Sequence, residues 1–295
     1  MLILNEEKYA KDLYEGKNPE VKSIMTKIRY ITRYLVHSEQ KSVDEVYKIT
    51  VQWLKEHHNN FDESGYSNVI SDAIKGAAKY PFYIIDNIKI TQSELETISS
   101  LDNLRAEKML FVLLCMAKQQ SMSNGFTNGL VKYSITELCK MARVSVPADD
   151  REYILYEIVR KGLLGYPKKN NTQCLIVNFI NTDEVALELD EADCQELAYV
   201  YLSWKNDGKG YGRCEFCGRL MKQSNKCKKR FCEQCTKTIG DISDNTKALL
   251  CVDCSSIYYT SIKDNTSCRC ESCKEIRNKS TKSVRNRKYY ISHKG

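Results

Sequence analysis

The sequence is poor in the residues that most chemistry needs. It has four histidines in 295 residues: His37, His57, His58 and His293. His57 and His58 end an apolar-periodic segment as HHNN, where a helix C-terminus explains them. No GxxxxGK[ST] loop occurs, and GKGYG lacks the preceding strand that a phosphate loop needs. The acid run DEVALELDEADCQE has no HxH or DxD context for metal-dependent hydrolysis. These absences argue against an enzyme. Proline is equally scarce, at four, and glycine stands at 13, which argues against a long collagen-like or low-complexity segment. Long apolar runs are missing too. The longest, MLFVLLCMA at 109–117, is nine residues, and a bilayer-spanning helix needs about 20. At the start, MLIL gives way at once to NEEK, which leaves no room for a signal-peptide core. These features place the chain in the cytoplasm with no membrane partner. Disulfides are rare there, and clustered cysteines more often bind metal.

Cysteine and positive charge are abundant, and both are unevenly spread. Residues 1–200 carry 24 Lys/Arg against 29 Asp/Glu, a net of −5, while residues 201–295 carry 21 against 9, a net of +12. Of the 14 cysteines, Cys115, Cys139, Cys174 and Cys194 are scattered, and the other ten lie between 214 and 273. Both signals put a boundary near residue 205, where NDGKGYGR supplies a glycine-rich joint.

Hydrophobic periodicity divides the rest. Residues 1–81 read as a helical domain. Val21, Ile24, Met25, Ile28, Ile31 and Leu35 follow a 3.6-residue period. Ser42 and Glu45 form a capping-box pair before Val43, Val46, Trp53 and Leu54, and a further helix runs to Pro81. Residues 82–181 read as a winged-helix domain. Its elements are a strand over 82–90, a capping box at Thr91–Glu94, an apolar helix over 103–117 and a short strand in GLVKY. A helix capped by Ser134 and Glu137, a helix ending at Gly162 and a hairpin through LLGYPKKNNTQCLIVNFI complete it. Residues 182–209 read as a connecting strand and helix, and 210–295 as a double zinc ribbon with a basic end. The expected fold class is mainly α with small β elements.

The ribbon reading rests on four Cys-x-x-Cys pairs: Cys214/Cys217, Cys232/Cys235, Cys251/Cys254 and Cys270/Cys273. Taken in order they give C-x2-C-x14-C-x2-C and C-x2-C-x15-C-x2-C, which is zinc-ribbon spacing. Each pair turns two thiolates toward one ion, and two pairs complete a tetrahedron around Zn2+ with no open position, so both ions are structural. Pairing of the first turn with the third has compatible spacing. Cys227 and Cys268 are left over as alternative ligands. Four thiolates on a divalent ion carry a net −2, so two sites reduce the +12 to about +8, and Arg213, Arg219 and Lys222 can serve to balance the sulfurs. The end of the chain, RNKSTKSVRNRKYY, carries Arg277, Lys279, Lys282, Arg285, Arg287 and Lys288 with no acid. Basic residues beside tyrosines suit phosphate contact and base stacking. They suit a solvated tail equally.

A winged helix that reads DNA presents its last helix to the major groove, N-terminal end first. Here that end is ADDREY. Its acids repel phosphate, and its first turn offers no Asn, Gln or Lys to a base edge. A protein-binding role fits this surface better. Within residues 65–240, ITQSELETI, LRAEKMLFVLLCMAK, FTNGLVKY, ITELCKMARVSV and CEFCG…RFCEQC resemble a recurrent group of winged-helix/zinc-ribbon proteins of phages and prophages of Gram-positive bacteria. The second ribbon departs from that group's single-ribbon members. In size and phage-like character the chain is also similar to phage inhibitors of the Gabija defence system. Together with the acidic helix start and the missing catalytic groups, the resemblance points to a non-enzymatic protein that docks on and inhibits a host defence-type, nucleic-acid-handling complex. The alternative is a DNA- or RNA-binding regulator held on the backbone by the ribbons and basic end. Its acidic front and basic tail also allow homo-oligomers.

Overall fold

The computed structural model describes residues 2–17, 21, 23–124, 129–168, 174–224, 229–238, 246–254, 257–261 and 268–278. They are mainly helical, with four small sheets.

Four helices pack first: α1 (Glu6–Tyr14), α2 (Ile24–His37), α3 (Val43–His57) and α4 (Glu63–Ala77). Each starts where a short polar side chain can take up free amides. Asn5 accepts from Lys8, Ser23 from Thr26, and Asp62 from Ser64 and Gly65. At α3, Glu45 accepts from the Ser42 backbone at 2.9 Å. Ala10, Leu13, Ile28, Ile31, Leu35, Val46, Leu54, Ile70 and Ile74 close one apolar core. Met25 and Val43, counted above in the apolar stripes, are 53% and 66% exposed. Each lies in its helix's first turn, beyond the edge of that core. A buried Glu6–Arg33 pair at 2.7 Å joins α1 to α2. Arg33 also donates to the carbonyls of Tyr80 and Pro81, which pins the chain as it leaves α4.

The second core surrounds α6 (Leu104–Asn124). Residues Met109 to Cys115 are each fully buried. A helix apolar all round must be covered on every side. The cover comes from β1 (Ile88–Thr91), α5 (Gln92–Ser99), β2 (Leu130–Lys132), α7 (Ile135–Met141), α8 (Ala148–Arg160), β4 (Cys174–Val177) and α9 (Leu197–Lys205). Strand β3 (Leu164–Gly165) completes a three-stranded antiparallel sheet of order β2-β4-β3. Strand β5 (Val185–Leu189) pairs antiparallel with β1.

Some local expectations change. The strand read over 82–90 shortens to β1, and Ile84 makes only an isolated bridge to Asn5. Ser134 precedes α7 without a side-chain cap bond, so that capping box does not form. The connecting helix expected within 182–209 splits into a 3-10 turn at Asp193–Gln195 and then α9. Among the described residues, no helix is long and apolar enough to cross a membrane.

Candidate metal centres

The first centre begins on a hairpin. Strands β6 (Tyr211–Arg213) and β7 (Leu220–Lys222) pair antiparallel, and Cys214–Cys217 form the loop between them. Gly218 closes the loop at φ +74°, where its amide donates to the Cys214 carbonyl at 2.9 Å. Only glycine adopts that conformation without strain. Gly218→Ala is therefore expected to cost on the order of 1 kcal/mol and to weaken metal retention, read as a lower chelator concentration for half-release. The other two thiols stand where α10 (Glu233–Thr238) begins, with the Thr236 amide bonded to the Cys232 carbonyl.

The second centre repeats this plan. Strands β8 (Thr246–Leu250) and β9 (Ile257–Ser261) form a hairpin with Cys251 and Cys254 at its turn. Cys270 and Cys273 open a helix over 271–278. Equivalent backbone bonds tie the halves of each centre. Glu215 N donates to Arg230 O at 3.0 Å in the first, and Val252 N to Cys268 O at 3.1 Å in the second. Each crossing also carries an arginine–acid pair, Arg230–Glu215 and Arg269–Asp253.

The thiols group sequentially, as Cys214, Cys217, Cys232 and Cys235, and as Cys251, Cys254, Cys270 and Cys273. Within each set all four sulfurs lie within 4.8 Å of one another. Cys217 Sγ–Cys232 Sγ and Cys254 Sγ–Cys270 Sγ are both 3.7 Å. A tetrahedron with Zn–S legs of about 2.3 Å has sulfur–sulfur edges of about 3.8 Å. The donor sets therefore fit two zinc ions, one per centre.

The electrostatics fit as well. Burial pushes the Cys214 thiol up, but amides of Cys217, Cys232 and Phe216 outweigh it and bring the pKa down to about 7. At Cys251 the amides of Cys270, Cys254 and Asp253 likewise overcome burial and lower it to about 6. Cys235 is pushed up by burial and by its neighbouring thiols, and Cys273 first by its hydrogen bond with Cys254. Each cluster thus favours a first thiolate and resists the last, and a divalent cation relieves that repulsion. Outside the clusters, burial first and then the charges of Asp193, Asp190 and Glu191 push the Cys194 thiol up to about 12, which marks it as an inert core thiol.

Cys268 stays outside the ligand set. Its Sγ takes a bond from Arg269 Nη1 at 3.2 Å. Cys227 lies outside the described residues, as do Lys279, Lys282, Arg285, Arg287 and Lys288. Arg277 is exposed in the helix over 271–278.

Sequence reasoning missed what fixes the first centre to the body. Arg213, read as a counterion to sulfur, instead donates Nη1 to the Gly218 carbonyl at 3.1 Å and pairs Nη2 with Asp193 at 2.8 Å. The only signal was an acid in DEADCQE, with nothing in sequence to link it to residue 213. Comparison with protein-family models, with curated proteins and with solved structures gives no match to this chain.

Proposed function

We propose that this protein is a binding protein without catalytic chemistry of its own, which docks on a host defence-type, nucleic-acid-handling protein complex and inhibits it. The outward face of α8 carries the protein-docking part of this reading. Tyr153 and Tyr156 are 63% and 57% exposed there, beside exposed Asp149, Asp150 and Glu152. Exposed tyrosines give contact area at low entropic cost and are enriched at protein interfaces. The acids oppose a phosphate backbone. The order α6, β2, α7, α8, β3, β4 with sheet order β2-β4-β3 supports a winged-helix reading of this region. In that arrangement α8 is the presenting helix, here with a surface suited to protein. The resemblance to phage inhibitors supports the inhibitory half. The two tetrathiolate centres, read as zinc ribbons, would supply rigidity and a second contact surface.

A tagged pull-down from host lysate, with and without nuclease, tests this. A stoichiometric host protein that survives nuclease is the expected result. Recovery of nucleic acid alone, lost on nuclease treatment, would establish the nucleic-acid regulator instead. Tyr153→Ala with Tyr156→Ala should leave the fold intact, since both rings are exposed. Loss of partner affinity of about 2 kcal/mol or more is expected, as for an interface hot spot.

A further inference from the structure

The two metal centres share a backbone plan but not an attachment. The first is fastened to the body at three points. Arg213 bridges the Gly218 carbonyl of the cysteine loop to Asp193, whose side chain is 4% exposed. Leu220, three residues after Cys217, joins the large core around α6. Gly218 lies against Ala192, so closely that an added Cβ would stand 3.4 Å from the Ala192 Cβ.

The second centre has different residues at the equivalent places. Leu250 precedes Cys251 where Arg213 precedes Cys214, and a leucine can make neither of the arginine's bonds. Among the described residues, none of the second centre joins either large apolar core. Its strand β8 packs instead on α10 of the first centre. Exposure differs in the same sense. In the first set two cysteines are buried and two half-buried, whereas in the second Cys254 is exposed. An incoming chelating group reaches an exposed sulfur–metal bond directly.

We infer that the two centres divide labour: the first is a permanent joint held shut by Arg213, and the second is an exchangeable zinc site whose occupancy follows available zinc. Exchange at the second proceeds by ligand substitution with no change of oxidation state. A chelator donor bonds to zinc as a cysteine sulfur leaves as its thiolate. The helix over 271–278, which starts on Cys270 and Cys273, loses its fastening when the metal leaves. The exposed Arg277 at its end is then presented only by the zinc-loaded form.

The test uses full-length protein loaded with two equivalents of zinc. Excess EDTA is added, and zinc remaining on the protein is followed by rapid desalting and metal analysis. Two phases of one equivalent each are expected. Cys251→Ser with Cys254→Ser should remove the fast phase and leave the slow one. Arg213→Gln should speed the slow phase by about 10- to 100-fold, the usual effect of losing a group that holds metal ligands in place. Alkylation with iodoacetamide during release, read by peptide mass spectrometry, should label Cys251, Cys254, Cys270 and Cys273 before Cys214, Cys217, Cys232 and Cys235. This labelling needs no variant. A single phase, labelling of the first set before the second, or a slow phase unchanged in folded Arg213→Gln would overturn the assignment.

Discussion

Replacing Cys214 and Cys217 with serine is expected to unfold the chain from about residue 210 onward and to loosen the body beneath it. Among the described residues the apolar cluster of the first centre is small: Cys214, Met221 and Cys235, with Cys217, Phe231 and Cys232 against it. Such a cluster cannot offset the entropy of ordering its loops. Metal binding must do so, and structural zinc sites provide apparent free energies of about 10–16 kcal/mol at neutral pH. Damage should spread through Leu220, which belongs to the core around α6, and through Asp193, left buried without Arg213 in place. Limited proteolysis should then cut in the 206–213 segment, and bound zinc should fall below one equivalent by elemental analysis. An uncut variant that still holds two zinc ions would refute the metal assignment.

Glu94→Ala should be the most damaging single change in the body. The Glu94 side chain is fully buried and 2.7 Å from Lys118 Nζ, itself 12% exposed. It also accepts from the Thr91 amide at 2.8 Å and the Asn181 amide at 3.1 Å. One carboxylate thus caps α5, holds the chain after β4 and neutralises a lysine on α6. Alanine leaves two amides without this acceptor and the lysine with only the Lys89 carbonyl, at 2.7 Å, and no counter-charge. Breaking a buried pair from one side costs about 3–5 kcal/mol, a large share of the 5–15 kcal/mol that typically holds a domain together. Thermal unfolding followed by circular dichroism should show a fall in Tm of many degrees. A loss under about 1 kcal/mol would mean that water replaces the carboxylate at this site.

What was legible in the sequence follows the range of the interactions involved. The eight cysteine ligands were readable because a Cys-x-x-Cys turn is local and zinc demands four donors, but their sequential grouping was not, since pairing of the first turn with the third has compatible spacing and only the fold brings the right turns together. The buried helix α6 was readable from its unbroken apolar run, although its end at Asn124 lies well past Ala117, where that run stops. Helix α1 passed without separate notice because nine residues show little more than two turns of periodicity. Its signal was Asn5 followed by Glu6 and Glu7, an N-cap with acids in the first turn. The long-range pairs, Arg213 with Asp193, Arg33 with Glu6 and Lys205 with Glu107, left no trace. Charged residues look alike in sequence whether they face water or one another across a fold. The acidic start of α8, ADDREY, was legible in composition. That Tyr153 and Tyr156 share its outward face needed the helix placed on its core.

The in-order grouping of the thiols also bears on how the chain is made. Each ligand set lies within a single short stretch, from 214 to 235 and from 251 to 273. At synthesis rates of about 5–20 residues per second, Cys235 leads Cys273 off the ribosome by about two to eight seconds. Closing a loop of this length takes far less than a millisecond. The first set can therefore capture its metal before the last sulfur of the second exists. Ten cysteines between 214 and 273 invite mispairing, and birth order removes most of the wrong partners before they can compete.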